Sequence, residues 1–396
     1  MLTRFAYRFA TGIAPSVAAK AAYLYGYKGF KAVRSYKKRL ADDVLYPPFM
    51  FIALTNTCNL RCEGCWVEKD GKQRSLPSQD LDALINTGKK QNAYYYTLLG
   101  GEPYLYKGLF EIFERHSDCY FQVITNGMFF TEENVRRLRK LGNVTPLISI
   151  DGMQEQNDMR RGEGVFEAID KGLALLKKYK LFYGIATTAT GKNMGEVMSD
   201  EYIQHFMDRG AMYMWYYIYR PVGEEQHPEY CMQREQIIEM RRRLLKQRRK
   251  HAILLIDTYW TAEGEAFCPA AMGLGFHVGP EGSIEPCPPL SFARERLADN
   301  DGDVFKTINE SAYLRGFQNF VKERTKGCVI LEHPKELVSY IKSHNATDFS
   351  TRNAFEEFNA STPRSSHHLP NDEIPEDYWV YRFLKKQVFF GMGALG

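Results

Sequence analysis

The sequence predicts an α/β fold: an open, partial (β/α)6 barrel with a helical arm before it and a small irregular domain behind it. Three observations carry this. Between residues 48 and 257, apolar strand-like runs alternate with amphipathic helical stretches, the pattern of a parallel sheet covered by helices. The runs end in polar or glycine clusters, and ligands gather at the C-terminal strand ends of such sheets. From Thr258 the rhythm stops and Gly and Pro become dense. Six strands in roughly 170 residues suit an incomplete barrel better than a closed eightfold one.

Taken in order, Phe49–Leu54 reads as the first strand and Leu76–Asn92 as a helix. Tyr94–Leu99 is a strand ending at Gly100-Gly101-Glu102-Pro103, and Leu109–His116 is helical. Tyr120–Thr125 is a strand closed by Asn126-Gly127, a turn signal. Glu132–Leu141 is helical, and Thr145–Ile150 is a strand ending at Asp151-Gly152. Phe166–Tyr179, Phe182–Thr188, Glu201–Arg209 and Met212–Tyr219 continue as helix, strand, helix, strand. Gln233–His251 is a long basic helix, read as a solvated outer one because Arg241, Arg242 and Arg243 fan around it. Ile253–Ile256 is a further strand. The expected divisions are an arm over 1–47, a barrel over 48–257, a small domain over 258–343, and a linker with an amphipathic helix over 344–396. Residues 344–372 are polar and read as a loop or partly ordered linker.

The 396 residues carry 44% hydrophobic and 25% charged side chains, enough for a sizeable core. The net charge of +4 is uninformative, but nine Lys or Arg and no Asp or Glu lie between Met1 and Ala41. With Tyr and Phe interleaved and Pro15 splitting it, this arm is either a helical pair packed on the barrel or a basic surface for peripheral contact with anionic lipid. No apolar run is long enough for a transmembrane helix and Arg4 and Arg8 spoil a signal peptide. Eight cysteines do not suggest a disulfide scaffold. A reducing cytoplasm is expected, and no nucleic-acid partner.

Thr55–Trp66, TNTCNLRCEGCW, places Cys58, Cys62 and Cys65 in one loop directly after the first strand. Three thiolates this close point to a soft-metal site, and an iron–sulfur cube suits them. With three local ligands, either a distant fourth completes the cluster or one iron stays open.

Cys58-x3-Cys62-x2-Cys65 followed by Trp66 resembles the signature of the radical S-adenosylmethionine (radical SAM) superfamily, over about residues 50–255. Gly100-Gly101-Glu102-Pro103 resembles the family's second-strand motif. Ser149-Ile150-Asp151-Gly152 resembles its fourth-strand segment, and Asp158-x-x-Arg161-Gly162 the element that follows. The resemblance implies a [4Fe–4S] cluster with one open iron that binds the methionine end of S-adenosylmethionine. It implies ammonium contact at Glu102 with close approach over Gly100 and Gly101, and carboxylate pairing at Arg161. It further implies ribose contacts from Ser149 and Asp151, and an adenine slot from Trp66 and the Ile185–Thr187 strand, with Ile185 as the named contact. Asp158 is expected to support its loop. Reductive cleavage to a 5′-deoxyadenosyl radical follows, with an electron donor such as flavodoxin or ferredoxin.

Cys268, thirteen residues, Gly282, four residues and Cys287 resemble the opening of a SPASM or twitch auxiliary domain. Only Cys328 follows, with Leu331 where a CxxC partner would stand. One second Fe–S cluster on Cys268, Cys287 and Cys328 is expected, with His333, His277 or substrate as the fourth ligand. The alternatives are buried thiols or zinc. Cys119 and Cys231 read as lone thiols.

Met212–Arg220, MYMWYYIYR, offers Tyr217, Tyr219 and Arg220 as substrate contacts. Asp257 and Tyr259 follow the last strand, and a carboxylate there could take a proton after hydrogen abstraction. The expected function is hydrogen abstraction from a peptide, a protein or a lipid-like substrate. The alternative is a non-catalytic Fe–S scaffold.

Overall fold

The computed structural model describes residues 2–68, 72–223, 225–350 and 352–387. Seven strands run parallel in sequential order: β1 (Phe49–Thr55), β2 (Tyr95–Gly100), β3 (Tyr120–Thr125), β4 (Val144–Ser149), β5 (Gly184–Ala189), β6 (Tyr213–Ile218) and β7 (Leu254–Ile256). Helices between them include Ser78–Lys90, Leu109–Arg115, Glu132–Leu141, Val165–Lys178, Asp200–Arg209 and Arg234–Lys250. The boundaries fall within two residues of the sequence reading, because the apolar periodicity switches sharply at each.

The sheet does not stop at residue 257. The remaining strands are β8 (His277–Val278), β9 (Ser283–Glu285), β10 (Phe292–Ala293), β11 (Glu295–Arg296) and β12 (Thr347–Asp348). β8 pairs parallel with β1, and β9 and β11 add antiparallel strands beyond it. The stretch expected as a separate domain therefore extends the barrel sheet past its first strand. Short strands that pair only in three dimensions carry too little periodicity to be read from sequence.

The arm folds as helices Leu2–Gly12, Pro15–Lys20 and Lys28–Ala41, with a π-helical turn over Ala21–Tyr27. Pro15 starts the second helix, where its missing N–H costs nothing. The arm closes the N-terminal end of the sheet. Tyr25 sits between Tyr95 and Tyr120, ring centroids 5.5 and 5.8 Å away. Its cations cap the C-terminal carbonyls of the outer helices. Arg4 donates to Lys250 O (2.8 Å), Arg8 to Met207 O (2.9 Å), Lys20 to Leu141 O (2.6 Å) and Arg39 to Gln91 O (2.7 Å). These are the negative ends of the helix dipoles, so the acid-free composition of the arm has a structural cause. Arg8 also donates to Ala211 O and Ala252 O. Arg8→Ala is therefore expected to cost about 2 kcal/mol, on the scale of charged hydrogen bonds. A urea unfolding midpoint unchanged from wild type would count against this capping role.

Two further expectations are corrected. The basic helix is not solvated throughout: Arg241 and Arg248 are buried and meet Asp257 and Glu376. Residues 344–372 are not a loose linker. β12 pairs with β10, Ala354–Ala360 is helical, and Ser366, His367 and Leu369 are buried. The chain then runs through the buried Glu376 to the helix Trp379–Gln387. Residues 388–396, the end of the segment expected as a linker and amphipathic helix, lie outside the described residues.

Candidate active site

A cavity of about 330 Å³ opens at the C-terminal ends of the parallel strands. Cys58, Cys62 and Cys65 line one wall, and Cys268, Cys287 and Cys328 line another. Cys58, Cys268, Cys287 and Cys328 are free thiols. The first set stands in the loop leaving β1, where the β1–β2 register shifts between Ala53 and Thr55. That irregularity releases the chain from the ladder. Asn56 then pins the loop's far limb, accepting from Arg74 N (2.8 Å) and donating to Lys72 O (2.9 Å). Burial pushes the Cys58 thiol above its ordinary pKa.

Gly100 and Gly101 back this loop so closely that no side chain fits. A Cβ on Gly100 would lie 2.3 Å from Thr55 O, and one on Gly101 2.2 Å from Thr57 O. Gly100 also has φ +123°, which disfavours any other residue. Their close approach lets Gly101 N donate to Thr55 O (2.6 Å) and Glu102 N to Thr57 O (2.8 Å).

Glu102 is not in the cavity wall. Its carboxylate is fully buried behind it, accepting from Asn126 N (2.8 Å), Tyr104 N (3.0 Å) and Thr125 Oγ1 (2.8 Å). Burial raises its pKa to about 7 against these hydrogen bonds. Glu102 thus ties β2 to β3, and the wall beside it is Gly100, Gly101, Thr125 and Asn126. Asn126, read as a turn residue, also donates to Asn59 Oδ1 (2.7 Å) in the cysteine loop. The turn signal concealed this second role.

Ser149 lines the cavity, whereas Asp151 does not. Asp151 is buried between Arg160 and Arg161 and accepts from Thr188 N (2.8 Å), which corrects its expected ribose contact. Burial alone would raise its pKa, but the two guanidiniums hold it below the carboxylate range. Arg161, 2.6 Å from Asp151, reaches the cavity together with Arg160, and Cys62 and Cys65 add to the field that keeps it charged. Asp158 accepts from Gly164 N (3.0 Å) and Phe166 N (2.7 Å), supporting the loop after Arg161. On β5, Ala186 and Thr188 face the cavity and Ile185 does not. Ile185 itself points to the opposite face of the strand, while Ala186 falls within the expected Ile185–Thr187 stretch. Trp66 lines the cavity and meets His277 edge-on at 5.7 Å.

Tyr217, Tyr219 and Arg220 line the opposite side. The Tyr217 hydroxyl is buried and has no hydrogen-bond partner among the described residues. Arg220 Nε lies 3.0 Å from Cys328 Sγ, so a cation faces the second cysteine set. Burial pushes the Cys268 thiol up to about 11 and Cys287 well above its ordinary value.

Neither expected histidine faces this set. His333 pairs with Glu336 (2.9 Å) outside the cavity, and His277 with Glu285 (2.6 Å) behind Trp66. The histidine in the wall is His367, which the sequence reading passed over in a polar stretch. Its Nε2 lies 3.0 Å from Phe267 O, and burial pushes its pKa down to about 3.

Asp257 cannot serve as the expected base. Its carboxylate is fully buried outside the cavity and bound by Arg241, Arg248 and Lys385. Burial acts to raise its pKa, but these cations hold it far below the carboxylate range. Tyr259 does line the cavity; its hydroxyl accepts from Ile218 N (2.8 Å).

Among the described residues, no three His, Cys, Asp or Glu side chains are grouped to hold one metal ion. A cubane asks for something else, since each thiolate binds a different iron at its own corner. Three part-buried cysteines on one loop, beside a wall emptied of side chains by Gly100 and Gly101, fit such a cluster with a ligand on its open iron.

Residues 52–208 match the family model described as the Radical SAM superfamily. The AdoMet-dependent heme synthase of Methanosarcina barkeri is 25% identical over 304 residues, covering 66% of this chain and 85% of that protein. The sporulation killing factor maturation protein SkfB of Bacillus subtilis is 32% identical over 160 residues, covering 39% of each. Among solved structures, Streptococcus suis SuiB bound to S-adenosylmethionine superposes with a TM-score of 0.61 at 15% identity, over 75% of this chain and 73% of that one. SuiB has also been solved with its precursor peptide SuiA.

Proposed function

We propose that the chain, whose residues 52–208 match the Radical SAM superfamily, is a radical SAM enzyme that abstracts hydrogen from a peptide or protein substrate. The observation that carries this is the single cavity with a cysteine triad on each of two walls. When bound, a [4Fe–4S] cluster and S-adenosylmethionine supply hydrogen abstraction through reductive cleavage of the sulfonium. Cys58, Cys62 and Cys65 would hold that cluster, and Cys268, Cys287 and Cys328 a second one.

The protein's own part is binding, orientation and exclusion of water. Arg161, fixed by Asp151, presents a rigid fork toward a carboxylate. Gly100 and Gly101 hold the cysteine loop at contact distance. Trp66, Ile124 and Ala186 supply apolar wall, and Ser149 a hydroxyl. On the far side, the unpartnered Tyr217 hydroxyl awaits a polar group of the substrate.

SkfB is named as a maturation protein, and SuiB binds a precursor peptide; both support a peptide substrate over a lipid-like one. A second reading, contact with a membrane surface, rests on the exposed Tyr7, Tyr23, Tyr27, Trp379 and Phe383. No described helix is long and apolar enough to cross a membrane. Vesicle co-sedimentation with and without residues 1–45 tests that reading, and equal binding removes it.

Anaerobically reconstituted protein is expected to hold about eight irons, and Cys268→Ala about four fewer, on cubane stoichiometry. With S-adenosylmethionine and dithionite the wild type yields 5′-deoxyadenosine. A fully loaded protein that yields none would be a scaffold. Deuterium reaching 5′-deoxyadenosine from a labelled peptide identifies the substrate; transfer from an iron tetrapyrrole instead would replace the peptide reading.

A further inference from the structure

We propose that His367 is the fourth protein ligand of the second cluster, through Nδ1. The inference rests on the reading that Cys268, Cys287 and Cys328 hold that cluster. His367 is the one histidine lining the cavity among the described residues. Its segment is tied to Cys328 itself and to the residue before Cys268. His367 Nε2 lies 3.0 Å from the carbonyl of Phe267, the residue before Cys268. Cys328 N donates to Ser366 Oγ (3.2 Å), the residue before His367. On its other side, Trp260 Nε1 donates to the His367 carbonyl (3.0 Å), and the Tyr259 ring stands 4.8 Å from the imidazole.

These contacts set the tautomer as well as the position. A carbonyl only accepts, so Nε2 carries the proton and Nδ1 keeps the lone pair. Metal-bound histidines regularly donate their second nitrogen in this way, to a carbonyl or carboxylate. The two other histidines near these cysteines in sequence are turned to Glu285 and Glu336. Imidazole beside thiolates is an established iron–sulfur donor set, and it raises the cluster potential. Arg220, 3.0 Å from Cys328 Sγ, adds positive charge in the same direction.

The test uses full-length protein in which Cys58, Cys62 and Cys65 are all replaced by alanine, reconstituted anaerobically with ferrous iron and sulfide. About four irons are expected to remain. The reduced cluster should show a strongly coupled nitrogen in pulsed EPR, altered by 15N-histidine labelling. His367→Ala should abolish that coupling. His367→Cys, which restores a side-chain ligand, should keep the irons, lose the coupling and lower the midpoint potential. Retained irons with no histidine coupling, or with coupling that survives His367→Ala, would overturn the ligation while the second cluster stands. A triple variant that takes up no iron would overturn the second cluster, and the ligation with it.

Discussion

Asp257→Asn is expected to destabilise the protein by about 3–5 kcal/mol, the usual cost of removing one partner from a buried ion cluster. Asp257 pairs with Arg241, Arg248 and Lys385, and Glu376 with the two arginines, all with side chains no more than 3% exposed. Without Asp257, Glu376 alone must balance three buried cations. Relief comes partly from Lys385, which burial already pushes down to about 8 although Asp257 opposes it, and which loses its proton more readily once the carboxylate is gone. The pH dependence has a definite sign. A depressed folded pKa means the unfolded chain binds the proton first, so the stabilisation by Asp257 is present above about pH 4 and fades below it. The gap between wild type and Asp257→Asn in urea midpoint is therefore wide at pH 7 and narrows in acid. The 5′-deoxyadenosine formed per folded molecule stays unchanged. The reverse outcome, lost chemistry at full stability, would return Asp257 to a role in proton transfer.

Gly101→Ala is expected to lower 5′-deoxyadenosine formation about 10²-fold, the scale for displacing a reacting group by about an ångström. The new Cβ would lie 2.2 Å from Thr57 O and 2.7 Å from Asn56 C. Both contacts are backbone atoms, so no rotamer change relieves them. Either β2 withdraws or the chain leading into Cys58 moves, and the latter shifts a cluster ligand directly. Iron analysis and the optical spectrum of the first cluster, measured in the Cys268→Ala background, separate displacement from loss. Wild-type turnover would show that the loop yields freely and that the glycine pair is not a packing requirement.

The alternation of strand and helix was legible because the residues that set it are neighbours in sequence. Apolar period and turn residues placed β3 and the helix Glu132–Leu141 at the observed boundaries. The cysteine loop, Gly100-Gly101, Ser149 and Arg161 were legible as strand-end chemistry, and they do meet at one cavity. Side-chain direction was less so. Ile185 was chosen where Ala186 and Thr188 face inward, because a strand with both faces buried gives no alternation to fix its register. Glu102 and Asp151 are charged residues beside a ligand site, yet each is consumed by partners from other strands or helices.

The parallel α/β framework, the loop with three thiolates and the order of the strand ends are all written in local spacing along the chain. Each depends on spacing over a few residues, which local geometry converts directly into position. What distant charges do is set by the folded arrangement. It turned the basic arm into caps for helix ends, put Arg241 and Arg248 against Asp257 and Glu376, and brought His367 into one cavity with Cys268, Cys287 and Cys328. Burying a charge or an imidazole requires a partner. In this chain such partners lie far apart, Arg248 and Glu376 being separated by 128 residues, where no sequence window can see them.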